Sequence, residues 1–161
     1  MASDYLLEID GVKGESTDEK FKGHIEIDSF SWACMNEGTG GRGGGSGSGK
    51  ANFSDFQFTK QCDAASHDLI KSCASGKHFT KATLRARKAG EGQKEFLIVT
   101  MEDVFVSGFN SSGSAGGGSI PHESVTLNYV KIKYEYKPQD NKGGLTGNMV
   151  AGYDRALNKS L

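Results

Sequence analysis

Two alternating runs constrain this chain more than anything else in it, because each changes phase part-way along. In His24 to Met35, Ile25 and Ile27 share one parity while Phe30, Trp32 and Cys34 take the other. In Val125 to Tyr136, Val125, Leu127 and Tyr129 give way to Val130, Ile132, Tyr134 and Tyr136. Alternate residues of a strand point to opposite faces, so a run that changes parity must bulge, or bury one face early and the other late. Such strands predict bending around a curled sheet or barrel, an arrangement that also removes exposed edges.

The remaining segments agree with a mostly β reading. Tyr5, Leu7 and Ile9 read as a first strand ended by Asp10-Gly11, and Lys13 to Lys22 as a charged loop. Phe53, Phe56 and Phe58 mark a third strand. Ala82, Leu84 and Ala86 alternate with Lys81, Thr83, Arg85 and Arg87, which predicts one small apolar face and one basic face. Glu95 to Val106 is β-rich, with a kink expected near Glu102-Asp103. One helix is expected over Asp63 to Ser75, with Ala65, Leu69, Ile70 and Cys73 on one face, Asp63 as N-cap and Gly76 as the stop. Pro138 ends the strand before it, and the tail from Asn141 is glycine-rich, then amphipathic around Val150, Tyr153 and Leu157. The expected fold class is an antiparallel β-barrel of two curved sheets with one flanking α-helix, in a single domain over residues 1–161.

Two stretches punctuate the strands. Gly38 to Gly49 holds eight glycines in twelve residues, and Ser107 to Ser119 is rich in glycine and serine. Neither composition compensates the entropy of packing, so flexible loops are expected near 38–50 and 107–119. The first loop also matches nucleotide-binding patterns. Gly38-Thr39-Gly40-Gly41-Arg42-Gly43 fits GxGxxG, and Gly44 to Lys50 fits most of GxxxxGK. Ala51 stands where a magnesium-holding Ser or Thr belongs, and the next residues read as strand, so no helix N-terminus is on hand for a phosphate. Gly45-Ser46-Gly47-Ser48-Gly49 has the letters of a nucleophile elbow without the strand-to-helix turn that gives it strain.

Bulk properties exclude little but do so clearly. A net charge of -1 offers no global attraction to nucleic acid or anionic membrane. No apolar run approaches a membrane span, which predicts no membrane insertion. Met1-Ala2-Ser3-Asp4 lacks a basic region followed by an apolar stretch, so the chain is expected to be made and folded in the cytoplasm. Cys34, Cys62 and Cys73 show neither a disulfide framework nor zinc spacing and are expected to be small, semi-buried hydrophobes. The four histidines show no metal spacing, and no cofactor site is expected. The basic face of Lys81, Arg85, Arg87 and Lys88 carries no interleaved aromatics for nucleic acid and is expected to be solvated.

The order of short blocks is more specific than any of these features. Ile27-Asp28-Ser29-Phe30-Ser31-Trp32, Phe56-Gln57-Phe58-Thr59-Lys60 and Ser72-Cys73-Ala74-Ser75-Gly76-Lys77-His78-Phe79 are followed by Ala82-Thr83-Leu84-Arg85-Ala86-Arg87-Lys88-Ala89-Gly90. Val125-Thr126-Leu127-Asn128-Tyr129 and Tyr134-Glu135-Tyr136-Lys137-Pro138-Gln139 close the series. From about Tyr5 to Tyr153 the chain closely resembles the haemolysin-coregulated protein family, the tube component of the type VI secretion machine.

The resemblance implies a structural protein rather than an enzyme. It implies six subunits in a ring, rings stacked into a tube, a contractile sheath around the tube and a spike at its tip. Small effectors travel in the lumen, and export proceeds without a cleaved signal peptide. It places Ser31, the small residue between two aromatics, on the lumen wall against effectors; Phe30 stands where many relatives have tryptophan. It assigns the loop of Gly38, Thr39, Gly40, Gly41, Arg42, Gly43, Gly44 and Lys50 to ring stacking or the subunit interface, and it offers the basic face acidic partners on a neighbouring subunit. Two rivals make different demands. A free-standing barrel that binds a small ligand or sugar needs a closed apolar pocket, and an enzyme needs titratable groups converging in a cleft.

Overall fold

The computed structural model describes residues 3–38, 48–88, 94–116, 120–138 and 147–161. Its strands are β1 (Ser3–Ile9), β2 (Ile25–Ile27), β3 (Ser29–Ser31), β4 (Cys34–Gly38), β5 (Ser48–Phe53) and β6 (Phe56–Gln61), followed by helix α1 (Ser66–Ser75). Then come β7 (His78–Lys88), β8 (Glu95–Ser112), β9 (His122–Tyr136), β10 (Met149–Asp154) and β11 (Lys159–Ser160). All pairings are antiparallel. The main ladder runs β11-β10-β9-β8-β7-β1-β2; β6 pairs with the first half of β9, and β3 pairs with β6.

This topology explains the phase changes. The first half of β9 buries Glu123, Val125, Leu127 and Tyr129, and the second half buries Ile132. Its early half serves the β6 side of the molecule and its late half serves β10. The change in His24 to Met35 has the same cause but a sharper form. Where the sequence predicts one strand, the chain makes three, turning a corner at Asp28, whose N–H donates to the Thr59 carbonyl at 2.8 Å. β2 lies on β1 and β3 lies on β6, so this corner joins the two curved halves into a barrel-like body although no ladder closes it. The core inside is continuous. Leu7, Ile9, Ile25, Phe56, Phe58, Leu84, Met101, Leu127 and Tyr129 are buried together, and α1 adds Leu69.

Several boundaries differ from expectation, each for a local reason. Phe53 ends β5 and does not continue into β6, because β5 pairs with β4 in a separate hairpin. Gly38 and Ser48 are cross-strand partners in that hairpin, so the loop is narrower than 38–50. The stretch from Ser107 begins as strand: β8 runs on to Ser112 by pairing with β9, with a bulge between Val106 and Gly108. Gly108 fits there because a Cβ would lie 2.6 Å from the Thr126 hydroxyl oxygen. The expected kink near Glu102-Asp103 is present as a left-handed Asp103, φ 52°. The tail forms β10 and β11, which extend the sheet past β9.

The helix starts at Ser66, three residues late. Asp63 does not cap it; its Oδ1 accepts the Ala65 N–H at 2.9 Å in the preceding turn. Gly76 does end the helix, left-handed at φ 68°. Ile70 is exposed, and Ser66 and Ser72 take the buried positions beside Leu69. Ser66 is buried because it joins a polar cluster: Lys60 Nζ, fully buried, lies 2.6 Å from Glu123 and 2.7 Å from Asp63, and donates to Ser66 at 3.0 Å. Lys60 and Glu123 are cross-strand neighbours that share the inward parity of Phe58 and Val125, so their charges compensate at the end of the barrel under α1. Two of the cysteines, Cys34 and Cys62, are exposed, not semi-buried; only Cys73 is partly covered.

Candidate functional site

Apart from the buried Lys60–Glu123 pair, the inward parity of β3, β6 and the first half of β9 is aromatic and aliphatic, and their outward parity forms one polar face. Ser29 and Ser31 stand opposite Thr59 and Gln57 on β6, which in turn stand opposite Ser124 and Thr126 on β9. Ser31 is exposed, while Phe30 and Trp32 pack on the core. Phe30 stacks on Phe56 at 5.8 Å and meets Tyr5 edge-on at 5.2 Å. These contacts fix β3 so that Ser31 cannot rotate inward without displacing two rings.

The hydroxyls of this face are bonded mainly to one another. Ser29 and Thr59 share a hydrogen bond at 2.5 Å, and Gln57 Nε2 donates to Ser124 at 3.0 Å. Ser107 donates to Asp55 at 2.7 Å and is 2.9 Å from the Thr126 hydroxyl; Asn128 donates to the other Asp55 oxygen at 2.8 Å. The result is a wall of short, mutually satisfied, mostly uncharged groups. Such a wall is wet, carries few long mobile side chains and has no strong attraction for any one charge. Sequence reasoning singled out Ser31 alone. Gln57, Thr59, Ser124 and Thr126 belong with it, and the signal was in the alternations Phe56-Gln57-Phe58-Thr59 and Val125-Thr126-Leu127-Asn128 once β6 is paired with β9.

The glycine-rich loop is described only at its ends. Gly38 lies on β4 and Lys50 on β5, whereas Thr39, Gly40, Gly41, Arg42, Gly43 and Gly44 lie outside the described residues. The hairpin base is anchored by aromatics: Trp32 stacks with Phe53, and Phe53 stacks with Tyr153 at 4.9 Å. Together with Tyr134, Ile132 and Ala151 they line an apolar groove of about 240 Å³. Exposed Met35, Tyr136, Met149 and Val150 lie on the same strands, β4, β9 and β10.

On the outward face of β7 Lys81 is exposed as expected, but the rest of the face is covered. Arg87 is 5% exposed and Thr83 4%. Arg87 donates to Asp18 at 2.5 Å and to Asp4 at 3.3 Å, and its guanidinium lies over the Phe21 ring. Arg85 donates to Glu8 at 3.0 Å. The loop after β1 folds back over β7, so the carboxylates come from the chain itself and no neighbouring subunit is needed. The hydrogen bond from Arg87 holds the Asp18 carboxyl at about 2, well below its ordinary value, and the same bond raises the Arg87 guanidinium.

Each histidine stands near a carboxylate: His24 by Glu8, His67 by Asp68, His78 by Asp103 and His122 by Asp28. Among the described residues no serine hydroxyl or cysteine thiol is hydrogen-bonded to any of them, and no group of three or more His, Cys, Asp or Glu is placed to hold a metal ion. No helix among them is long and apolar enough to cross a membrane.

Comparison with known proteins converges on one family. The family model described as type VI secretion system effector, Hcp, matches residues 6–136. The chain is 40% identical over 151 residues to protein hcp1 of Pseudomonas aeruginosa, covering 93% of each. A solved structure of a type six secretion system protein superposes with a TM-score of 0.94 at 34% identity, covering 99% of this chain and 100% of that one. Hcp1 from Salmonella typhimurium superposes at 0.83 with 38% identity, and each chain is covered completely.

Proposed function

Because the chain belongs to the Hcp family of type VI secretion tube proteins, we propose that it forms hexameric rings which stack into the inner tube and carry small effectors in their lumen. The observation that carries this reading is the face built on Ser31, Gln57 and Ser124. A curved sheet has two outer fates, covered or wet, and this one is wet with short neutral groups. Six such faces turned inward give a pore wall that cargo can touch without being trapped. A ring closes heterologous contacts by rotation, and stacking of rings leaves a filament with open ends.

The apolar side chains around the β4–β5 hairpin and β10 favour self-association. Met35, Met149 and Val150 are each more than half exposed in the isolated subunit, on the strands β4 and β10 that also line the apolar groove, and large exposed apolar patches mark interaction sites. The stacking role of the loop from Gly38 to Lys50 is supported by its two described ends, Gly38 and Ser48, which pair across the hairpin. The same reading gives the tube a contractile sheath and a spike as partners and export without a cleaved signal peptide, and membership of the family supports it.

The rival of a ligand-binding barrel fares worse on packing. Phe56, Phe58, Leu84, Met101 and Leu127 are wholly buried in the barrel interior, where the ligand would have to sit. Light scattering at micromolar concentration tests the assembly directly. The expected particle has six times the subunit mass; a strict monomer at every concentration overturns the proposal.

A further inference from the structure

A cavity of about 540 Å³ lies between β5, β9 and the β10–β11 turn. Its walls include Lys50, Asn52, Tyr129, Tyr153, Arg155 and Asn158, and none of the described residues that line it carries a carboxylate. The turn that carries Arg155 and Asn158 is tightly held. Asp154 Oδ1 accepts the Ala156 and Leu157 N–H groups at 2.9 and 3.0 Å, and Asn158 is left-handed at φ 53°. The Arg155 N–H donates to the Val130 carbonyl at 2.9 Å.

The guanidinium itself is positioned but not neutralised. Arg155 Nη1 donates to the Tyr129 carbonyl at 2.8 Å, and Cζ lies 5.3 Å from the centre of the Tyr129 ring. Among the described residues Arg155 makes no ion pair, and neither does Lys50. Tyr153 donates its hydroxyl to Asn158 Oδ1, which leaves the Asn158 amide N–H groups as donors. The carboxylates of Asp55 and Asp154 are engaged elsewhere: Asp55 accepts from Ser107 and Asn128, and Asp154 holds the turn. Burial pushes the Tyr129 hydroxyl up to about 12, so it stays a neutral donor to the Ser54 carbonyl at 2.8 Å.

We propose that this cavity is an oxyanion site, which takes a carboxylate or phosphate group on the free Arg155 and Lys50 charges and the Asn158 amide. A guanidinium pinned at one nitrogen keeps a fixed fork for a planar or tetrahedral oxyanion, and a second cation beside it adds to the attraction without a competing acid. The volume exceeds that of a bare phosphate, and Phe53 and Tyr153 offer ring surface to whatever bears the anion. Nothing of the nucleotide patterns in the preceding loop is required: Lys50 is on a strand, and no helix N-terminus faces it.

Two sources supply such a group, a free anion or an acidic side chain of a second copy, and one set of measurements separates them. Inorganic phosphate is titrated calorimetrically into the whole protein against sodium chloride of equal ionic strength, and the particle mass is followed in the same buffers. Saturable binding is expected, weakened about tenfold in Arg155→Gln, as loss of one charge-assisted bond implies, and retained in Arg155→Lys at intermediate strength. Lys50→Gln, on an exposed strand position, gives a second reading independent of the turn. If phosphate binds and the particle mass is unchanged, the site serves a free anion; if phosphate lowers the mass where chloride does not, it serves an acidic group of another copy. Heat no different from chloride, or phosphate binding equal in both neutral variants, overturns the site. Binding by a single subunit is expected whether or not rings form, so failure here and failure of the tube reading are distinct results.

Discussion

The β3–β6–β9 face and the β1–β7 face are both outward sides of the same curled sheet, yet they solve opposite problems. On the first, Ser31, Gln57 and Ser124 end at the surface, with Gln57 bonded sideways to Ser124 and Ser29 to Thr59. On the second, Arg85 and Arg87 are long; Glu8 of the neighbouring strand β1 pairs with Arg85, and the loop after β1 returns over the face to bring Asp18 to Arg87. The difference teaches that polarity at alternate positions does not say whether a face is open. Chain length of the side groups does. Short hydroxyls satisfy one another within the sheet and leave it bare, whereas a guanidinium reaches past the sheet and recruits a loop, stacking over the Phe21 ring.

Removing Arg87 should break the covered face most severely. Arg87→Ala takes away two carboxylate contacts and the cation over Phe21, and it leaves Asp4 and Asp18 facing each other near β1. Because Asp4 is about half exposed, the cost falls below that of breaking a fully buried pair, at about 2–3 kcal/mol. Denaturant unfolding checks this through a lower midpoint at an unchanged slope. A loss under about 0.5 kcal/mol, ordinary for surface sites, would mean that the loop covers β7 without help from its charges.

The same pair gives a smaller, pH-dependent effect. Asp18 has a folded value of about 2 against an ordinary 3.8, so its folded-state pKa is depressed. A depressed carboxyl contributes stability that is fully present above the unfolded value and lost as pH falls through the folded one. The wild type should therefore lose melting temperature between about pH 4 and pH 2. Asp18→Asn should be less stable at neutral pH and should show a shallower decline in that window. Equal slopes for the two proteins would detach Asp18 from the acid response.

How much of this was legible beforehand follows from what each feature depends on. The parity changes in His24 to Met35 and Val125 to Tyr136 are properties of neighbouring residues, and both appear as bends in the barrel. Ser31 was legible because Phe30 and Trp32 fix its parity. The corner at Asp28 and the split of Phe53 from Phe56 were not, since each depends on which distant strand pairs with the segment. Lys60 reads as a surface lysine until Glu123 is placed across from it. The cover over Arg87 was missed for the same reason: Asp18 is 69 residues away in sequence. Ile70 misled because its helical spacing is right, while the buried position beside Leu69 goes to Ser66, held by Lys60 and Glu123.

The smallest expected effect on stability is on the open face, and it is the one that bears most on function. Ser31→Gln adds a longer polar side chain to a position that is exposed between two packed aromatics. If the face is open, nothing has to move, and the melting midpoint should stay within about 0.5 kcal/mol of wild type, with the particle mass unchanged. If Ser31 instead filled a tight spot, the same change would cost about 1–3 kcal/mol through overpacking. Cargo behaviour separates the lumen reading from mere exposure. In the proposed ring, six copies of a longer side chain would narrow the pore and replace a hydroxyl with an amide at its wall, so co-expressed small effectors should be retained less well. Unchanged effector retention at an unchanged melting temperature would take Ser31 off the cargo surface and leave the neutral face as simple solvent-facing sheet.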